Sequence, residues 1–278
     1  MDRYEKDERI ETADAGLEND KKENPVPMVT EEEIYEADME ARREMLDRCR
    51  ERIEKFPERL EYLAGAIGFA TGMGDEDSAR DSYDRLRGAP CKRWPSHAYG
   101  AAIDFLMLHP EQNAKEITAV IQEGKKYLVS DEIFIKEYEY YRCIGEPDKG
   151  IDALKKAVST LKNASNAALF LLSLHLERGE YDEAVSVGEY ALATSGIDNP
   201  KDIARACFQT LLARDARFQM AMNSGERISG DHENTLLMID EMYEYLIGNF
   251  SSHLSDRDIE LAKIKKEVLK FHKIRLDI

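Results

Sequence analysis

The four cysteines, Cys49, Cys91, Cys143 and Cys207, include no Cys-x-x-Cys pair and no histidine at ligand spacing. Neither zinc nor a disulfide framework is suggested, and reduced, mostly buried thiols are expected. The six histidines, at 97, 109, 175, 232, 253 and 272, form no His-x-x-x-His pair, so no metal is expected. No run approaches the roughly 20 apolar residues of a membrane span. Residues 1–20 lack the apolar stretch of a signal peptide, which points to a cytoplasmic protein. Gly-x-Ser-x-Gly, Gly-Lys-Ser/Thr and Gly-x-Gly-x-x-Gly are all missing, so elbow-type nucleophiles and nucleotide cofactors have no support. Positive charge is in deficit: 39 Lys and Arg face 56 Asp and Glu, a net charge of −17. Such a chain repels phosphate backbones, which argues against nucleic acid as a partner.

What the 278 residues do contain is 42% hydrophobic and 34% charged side chains, the mixture expected of packed helices with solvated faces. Residues 1–28 are acidic with almost nothing to bury, so a disordered tail is expected there. Pro25 and Pro27 stiffen its exit, and Thr30 with Glu33 forms a capping box for an N-terminal capping helix over 29–58. Along that helix Ile34, Ala37, Ala41, Met45, Cys49, Ile53 and Phe56 draw one apolar stripe, which Pro57 ends. Further on, apolar-striped segments alternate with breaks at Gly74, Pro110, Gly145, Gly179 and Pro200. The spacing predicts helices over 31–55, 59–72, 75–87, 96–109, 112–126, 131–143, 147–161, 165–178, 181–194, 200–214, 217–228, 232–249 and 256–275, and no sheet.

A repeat underlies this alternation. The runs beginning at Gly145 and Gly179 hold the same place between two helices, and 179 − 145 = 34, the period of a tetratricopeptide repeat. The unit over 165–198 carries the motif's Leu171, Gly179, Tyr181 and Ala184, with Ala191 seven residues on. The unit over 131–164 keeps Phe134, Tyr141, Gly145, Leu154 and Ala157 but has Gly150 where Ala is usual and Glu137 where Leu is expected. Upstream, Leu63, Gly74, Ala79, Tyr83 and Leu86 follow the template, and a further pair falls around Ala102, Phe105 and Ala114. Downstream, Phe218 and Ala221 echo Tyr181 and Ala184, with 221 − 184 = 37. The chain resembles the tetratricopeptide repeat (TPR) family in degenerate form, with Ala168, Leu172 and His175 standing where the motif has other residues.

The resemblance implies an all-α, right-handed α-solenoid of five TPR-like hairpins over 59–230, closed by a C-terminal capping helix pair over 231–278. It also implies that the first helix of each pair lines a concave groove, at Ala64, Gly68, Ile135, Glu139, Leu169, Ser173, Ala206 and Thr210. These side chains are mostly small or apolar and lack the Lys, Asn and Arg of the family's carboxylate clamp. The expected partner is therefore a protein or peptide, bound as an extended apolar or helical segment. The leading reading is a non-enzymatic scaffold or adaptor. A regulator whose groove is self-occupied until a partner binds stands second, and an enzyme with a non-local site third.

Other conspicuous residues have structural readings. Asp75, Glu76 and Asp77 lack the ligand spacing of a calcium loop and suit a first helical turn. The pairs Glu137 with Glu139 and Glu241 with Glu244 read as solvated faces, because no apolar cleft is evident to separate their pKa values. His175 is expected in the core on a backbone partner. Tyr138, Tyr140 and Tyr141, and the run Leu236, Leu237, Met238, Ile239, Met242, Tyr243, Leu246 and Ile247, are read as core. In the last helix Lys263, Lys265, Lys266, Lys270, Lys273 and Arg275 surround Ile264, Val268, Phe271 and Ile274, which suits a capping helix or weak contact with an anionic surface.

Overall fold

The computed structural model describes residues 30–91, 93–127, 130–194, 199–224 and 232–276. The acidic tail expected over 1–28 lies outside them. The described residues form twelve α-helices and no strand: α1 (Glu31–Lys55), α2 (Leu60–Met73), α3 (Glu76–Gly88), α4 (Ser96–Leu106), α5 (Ala114–Tyr127), α6 (Glu132–Cys143), α7 (Pro147–Thr160), α8 (Ser165–Glu177), α9 (Tyr181–Thr194), α10 (Pro200–Ser224), α11 (His232–Phe250) and α12 (Asp256–Leu276). The all-helical expectation is met.

Two compact units divide the chain within α1, one ending at Ala41 and the other running from Arg42. In the first, the Thr30 N–H donates to Glu33 Oε2 at 2.8 Å and the Glu33 N–H donates to Thr30 Oγ1 at 3.2 Å. This is the capping box read from the sequence, and it lowers the pKa of the Glu33 carboxyl. The buried residues of α1 are Leu46, Cys49 and Ile53, whereas Ile34, Met45 and Phe56 of the expected stripe are exposed.

Within the second unit, α2, α4, α6, α8 and α10 touch one another in succession and form one layer. Between them, α3, α5, α7 and α9 each pack on the helix before and the helix after. Three of the turns rest on glycines at positive φ: Gly74 at 72°, Gly145 at 77° and Gly179 at 70°. A side chain with a Cβ adopts that backbone at a cost, so glycine ends the helix and reverses the chain there. Side-chain size then sets the helix spacing. A Cβ on Gly150 would come within 2.8 Å of the Tyr138 Cα, so the close approach of α6 and α7 there requires glycine. Across α9 and α10, a Cβ on Gly188 would meet Thr210 Oγ1 at 2.0 Å.

One expected boundary is absent. The segments 200–214 and 217–228 were to form a fifth hairpin, but α10 runs unbroken from Pro200 to Ser224. Phe218 and Ala221, aligned with Tyr181 and Ala184 by the repeat template, therefore lie inside one helix, and the fifth hairpin as drawn does not exist.

The apolar core falls into clusters. The larger runs from Leu46 through Ile67, Tyr83, Ile103 and Leu154 to Leu171. A second joins Phe208, Leu211 and Phe218 of α10 to Leu236, Ile239, Tyr243 and Leu246 of α11 and to Ala262 and Leu269 of α12. Between them lies a small one of Leu172, Ala184 and Ala213.

Candidate partner-binding face

The layer of α2, α4, α6, α8 and α10 carries the positions that the resemblance assigned to a groove, and the structure divides them. Gly68 is exposed, with no atom within 4 Å of where its Cβ would stand. Ile135, Glu139 and Ser173 are half-buried. Ala64 and Leu169 are buried, Leu169 at 5% exposure, as are Ala206 and Thr210. Half of the expected groove is thus core.

For α10 the cause is register. Gln209 Nε2, not Thr210, donates to Ser173 Oγ at 2.8 Å, and Ser173 Oγ donates in turn to the Leu169 carbonyl at 3.0 Å. Thr210 turns toward Gly188 of α9, its Oγ1 donating to the Ala206 carbonyl at 2.7 Å. A spacing of 37 taken from Phe218 and Ala221 overshoots by one residue, since 209 − 173 = 36. One residue is 100° of helix, enough to move a position from an open face to an interface. On the Gln209 face the next turn carries Arg205, which is exposed.

Toward the other end, α4 and α6 are linked by charge. Lys136 Nζ donates to Asp104 Oδ1 at 2.7 Å and to Glu139 Oε2 at 2.9 Å. Burial disfavours charge on Lys136, but the bonds to Asp104 and Glu139 outweigh it and raise its pKa. Burial raises the Asp104 carboxyl despite the opposing pull of Lys136. Beside this group, Ser96, Tyr99, Gly100, Glu132, Ile133 and Lys136 line a small niche. Lys136 and Glu139 could be paired from their i,i+3 spacing alone. Asp104 and Gln209 could not, because their partners lie 32 and 36 residues away.

Elsewhere the structure refines the sequence reading. Asp75 is an N-cap, accepting from the Ser78 N–H at 3.1 Å, and hydrogen bonding from the Ser78 side chain and backbone lowers its pKa, while Glu76 and Asp77 occupy the first turn of α3. His175 is buried, but its Nδ1 meets Glu180 Oε2 at 2.6 Å instead of a backbone group. The hydrogen bond to His175 is the main reason the Glu180 carboxyl titrates below its ordinary value. Glu137 is no solvated carboxylate: it is buried in an ion pair with Lys125. Tyr138 and Tyr140 are core, as are Leu236, Ile239, Tyr243 and Leu246, whereas Leu237 and Met238 are exposed. Among the described residues no group of His, Cys, Asp and Glu gathers as metal ligands would, and no helix is long and apolar enough to cross a membrane. No family model matches the chain, and no match to a curated protein was found.

Proposed function

We propose that this chain is a non-enzymatic scaffold or adaptor of the cytoplasm, a right-handed TPR-like solenoid that holds a segment of another protein along α2, α4, α6, α8 and α10. The observation that carries the reading is the continuity of that layer: each helix touches the next, and side chains on one face, Asp104 with Lys136 and Ser173 with Gln209, bridge consecutive helices. A continuous face several helices long suits a chain segment better than a compact small molecule. Gly68, Gly100 and Arg205 leave parts of it open, and its mixture of amides and charges favours a segment with exposed backbone groups over a wholly apolar one.

The test is quantitative affinity isolation from cell extract with the full chain as bait, comparing it with Gly68→Arg and Arg205→Glu. Thr118→Glu, on the exposed side of α5, serves as control. A stoichiometric protein retained by the parent chain and the control but lost from both variants is the expected result. Equal retention by all four baits would exclude this face.

A further inference from the structure

Helix α12 is packed the opposite way from an ordinary amphipathic helix. Three of its lysines face the body of the protein: Lys265 pairs with Asp215 at 2.8 Å, Lys266 with Glu244 at 2.5 Å and Lys273 with Asp240 at 2.6 Å. Among the described side chains of the helix, Ala262 and Leu269 alone are fully buried beside them. Four large apolar side chains face outward: Ile264 is 53% exposed, Val268 38%, Phe271 72% and Ile274 75%. Lys265, Lys266 and Lys273 are thus held by carboxylates of the protein's own body, while Lys263 and Lys270 stay exposed. An apolar stripe of this size on a helix usually marks an interaction surface.

The charges beside the stripe indicate its occupant. At 100° per residue, Glu260, Lys263, Glu267 and Lys270 fall within an arc of about 80° on the flank of the stripe that Ile274 occupies; all four are exposed, and Lys270 pairs with Glu267 of its own helix at 2.6 Å. Their order reverses sign about one point: 260 + 270 = 530 and 263 + 267 = 530, so both sums centre on position 265. In an antiparallel pair of identical helices each flank meets the same flank of the other copy, running backwards. Centred on 265, Glu260 of each copy lies opposite Lys270 of the other, and Lys263 opposite Glu267, each pair occurring twice. In a parallel pair the charged flank would meet Val268 and Leu261 instead. The same centring brings the two Ile264 side chains together across the twofold axis and sets Val268 against the turn that carries Leu261.

We propose that α12 is a self-association surface, on which two copies of this chain pair through antiparallel α12 helices centred near Lys265. A contact one helix wide falls short of the roughly 1,200 Å² of standard interfaces, so the dimer is weak, with a Kd on the order of 100 μM.

The test is sedimentation equilibrium of the full chain up to about 1 mM, well above that Kd. A monomer–dimer equilibrium is expected. Ile264→Asp should abolish it, as should Lys263→Glu, which places like charges opposite one another. Lys263→Glu combined with Glu267→Lys should restore it, because the swapped charges again face their opposites, and only the antiparallel register makes that rescue. These residues are exposed, and unchanged helical circular dichroism confirms that each variant is folded. A parent chain monomeric at every concentration overturns the proposal, and so does a double variant that fails to re-associate. Binding of a monomeric parent chain, but not of Ile264→Asp, to phosphatidylserine vesicles would assign the stripe to a membrane and overturn it as well.

Discussion

Leu169, Gly68 and Gly188 show how much one side chain's surroundings decide. Leu169 falls on a position that the resemblance assigned to a groove but is buried at 5% exposure. Leu169→Asp would place a charge where no partner waits and should cost about 3 kcal/mol, well beyond an ordinary surface change. Gly68 has open space above it in the middle of a helix, so Gly68→Ala should stabilise the chain by about 0.5–1 kcal/mol through the entropy of the unfolded state. The same change at Gly188 meets Thr210 across α9 and α10 and should cost about 1–3 kcal/mol by overpacking. Urea denaturation of the three variants checks the order, and a Gly188→Ala as stable as Gly68→Ala would mean that the helices are further apart than described. Titration offers a separate check. Glu180 titrates below its ordinary value of 4.5 because His175 and Arg178 hold the charged form. Its contribution to stability is therefore present above that value and is lost as pH falls through its lower folded pKa. Glu180→Gln should flatten the fall in thermal midpoint below pH 4.5, and an unchanged pH profile would show that the pair does not form in solution.

At the scale of the helices, legibility followed the punctuation. Every turn marked by Gly74, Gly145 or Gly179 was readable, because a residue that tolerates positive φ ends a helix whatever surrounds it. The break expected between 214 and 217 rested on template alignment, with no glycine or proline at the join, and α10 runs through it. Asp215, at that supposed break, is instead buried at 1% exposure and ion-paired with Lys265 of α12, 50 residues away (265 − 215). Gln219 also donates to it, at 3.3 Å. Burial, together with the Asp215 charge, pushes the neighbouring Tyr243 hydroxyl well above its usual range. Local pattern could not foresee a partner so distant, and the slip of one residue that misplaced Ala206 and Thr210 has the same origin. Removing one side of this pair tests its weight. Lys265→Met keeps the length of the side chain but leaves Asp215 buried without its cation, and should cost about 3–5 kcal/mol. A loss under about 1 kcal/mol would place the pair among ordinary surface bridges.

Across the unit that begins at Arg42, the small cluster of Leu172, Ala184 and Ala213, with Leu176, Tyr181, Val185 and Val187 packed against it, lies between the two large apolar clusters. In an array whose elements contact only their neighbours, cooperativity passes from one to the next through such junctions and fails first at the weakest. The sole tryptophan, Trp94, lies in the larger cluster, its ring centre 5.1 Å from that of Tyr99, tilted, and 6.5 Å from that of Tyr83, edge-on. Its fluorescence therefore reports on that part alone, whereas far-ultraviolet circular dichroism reports on every helix. Lys265→Met weakens only the cluster of α10, α11 and α12. In urea, that variant should lose part of its helical signal early while the Trp94 midpoint stays where it is in the parent chain. If both signals shift together by the same amount, the junction transmits the full destabilisation, and the array unfolds as one cooperative body despite the small cluster at its join.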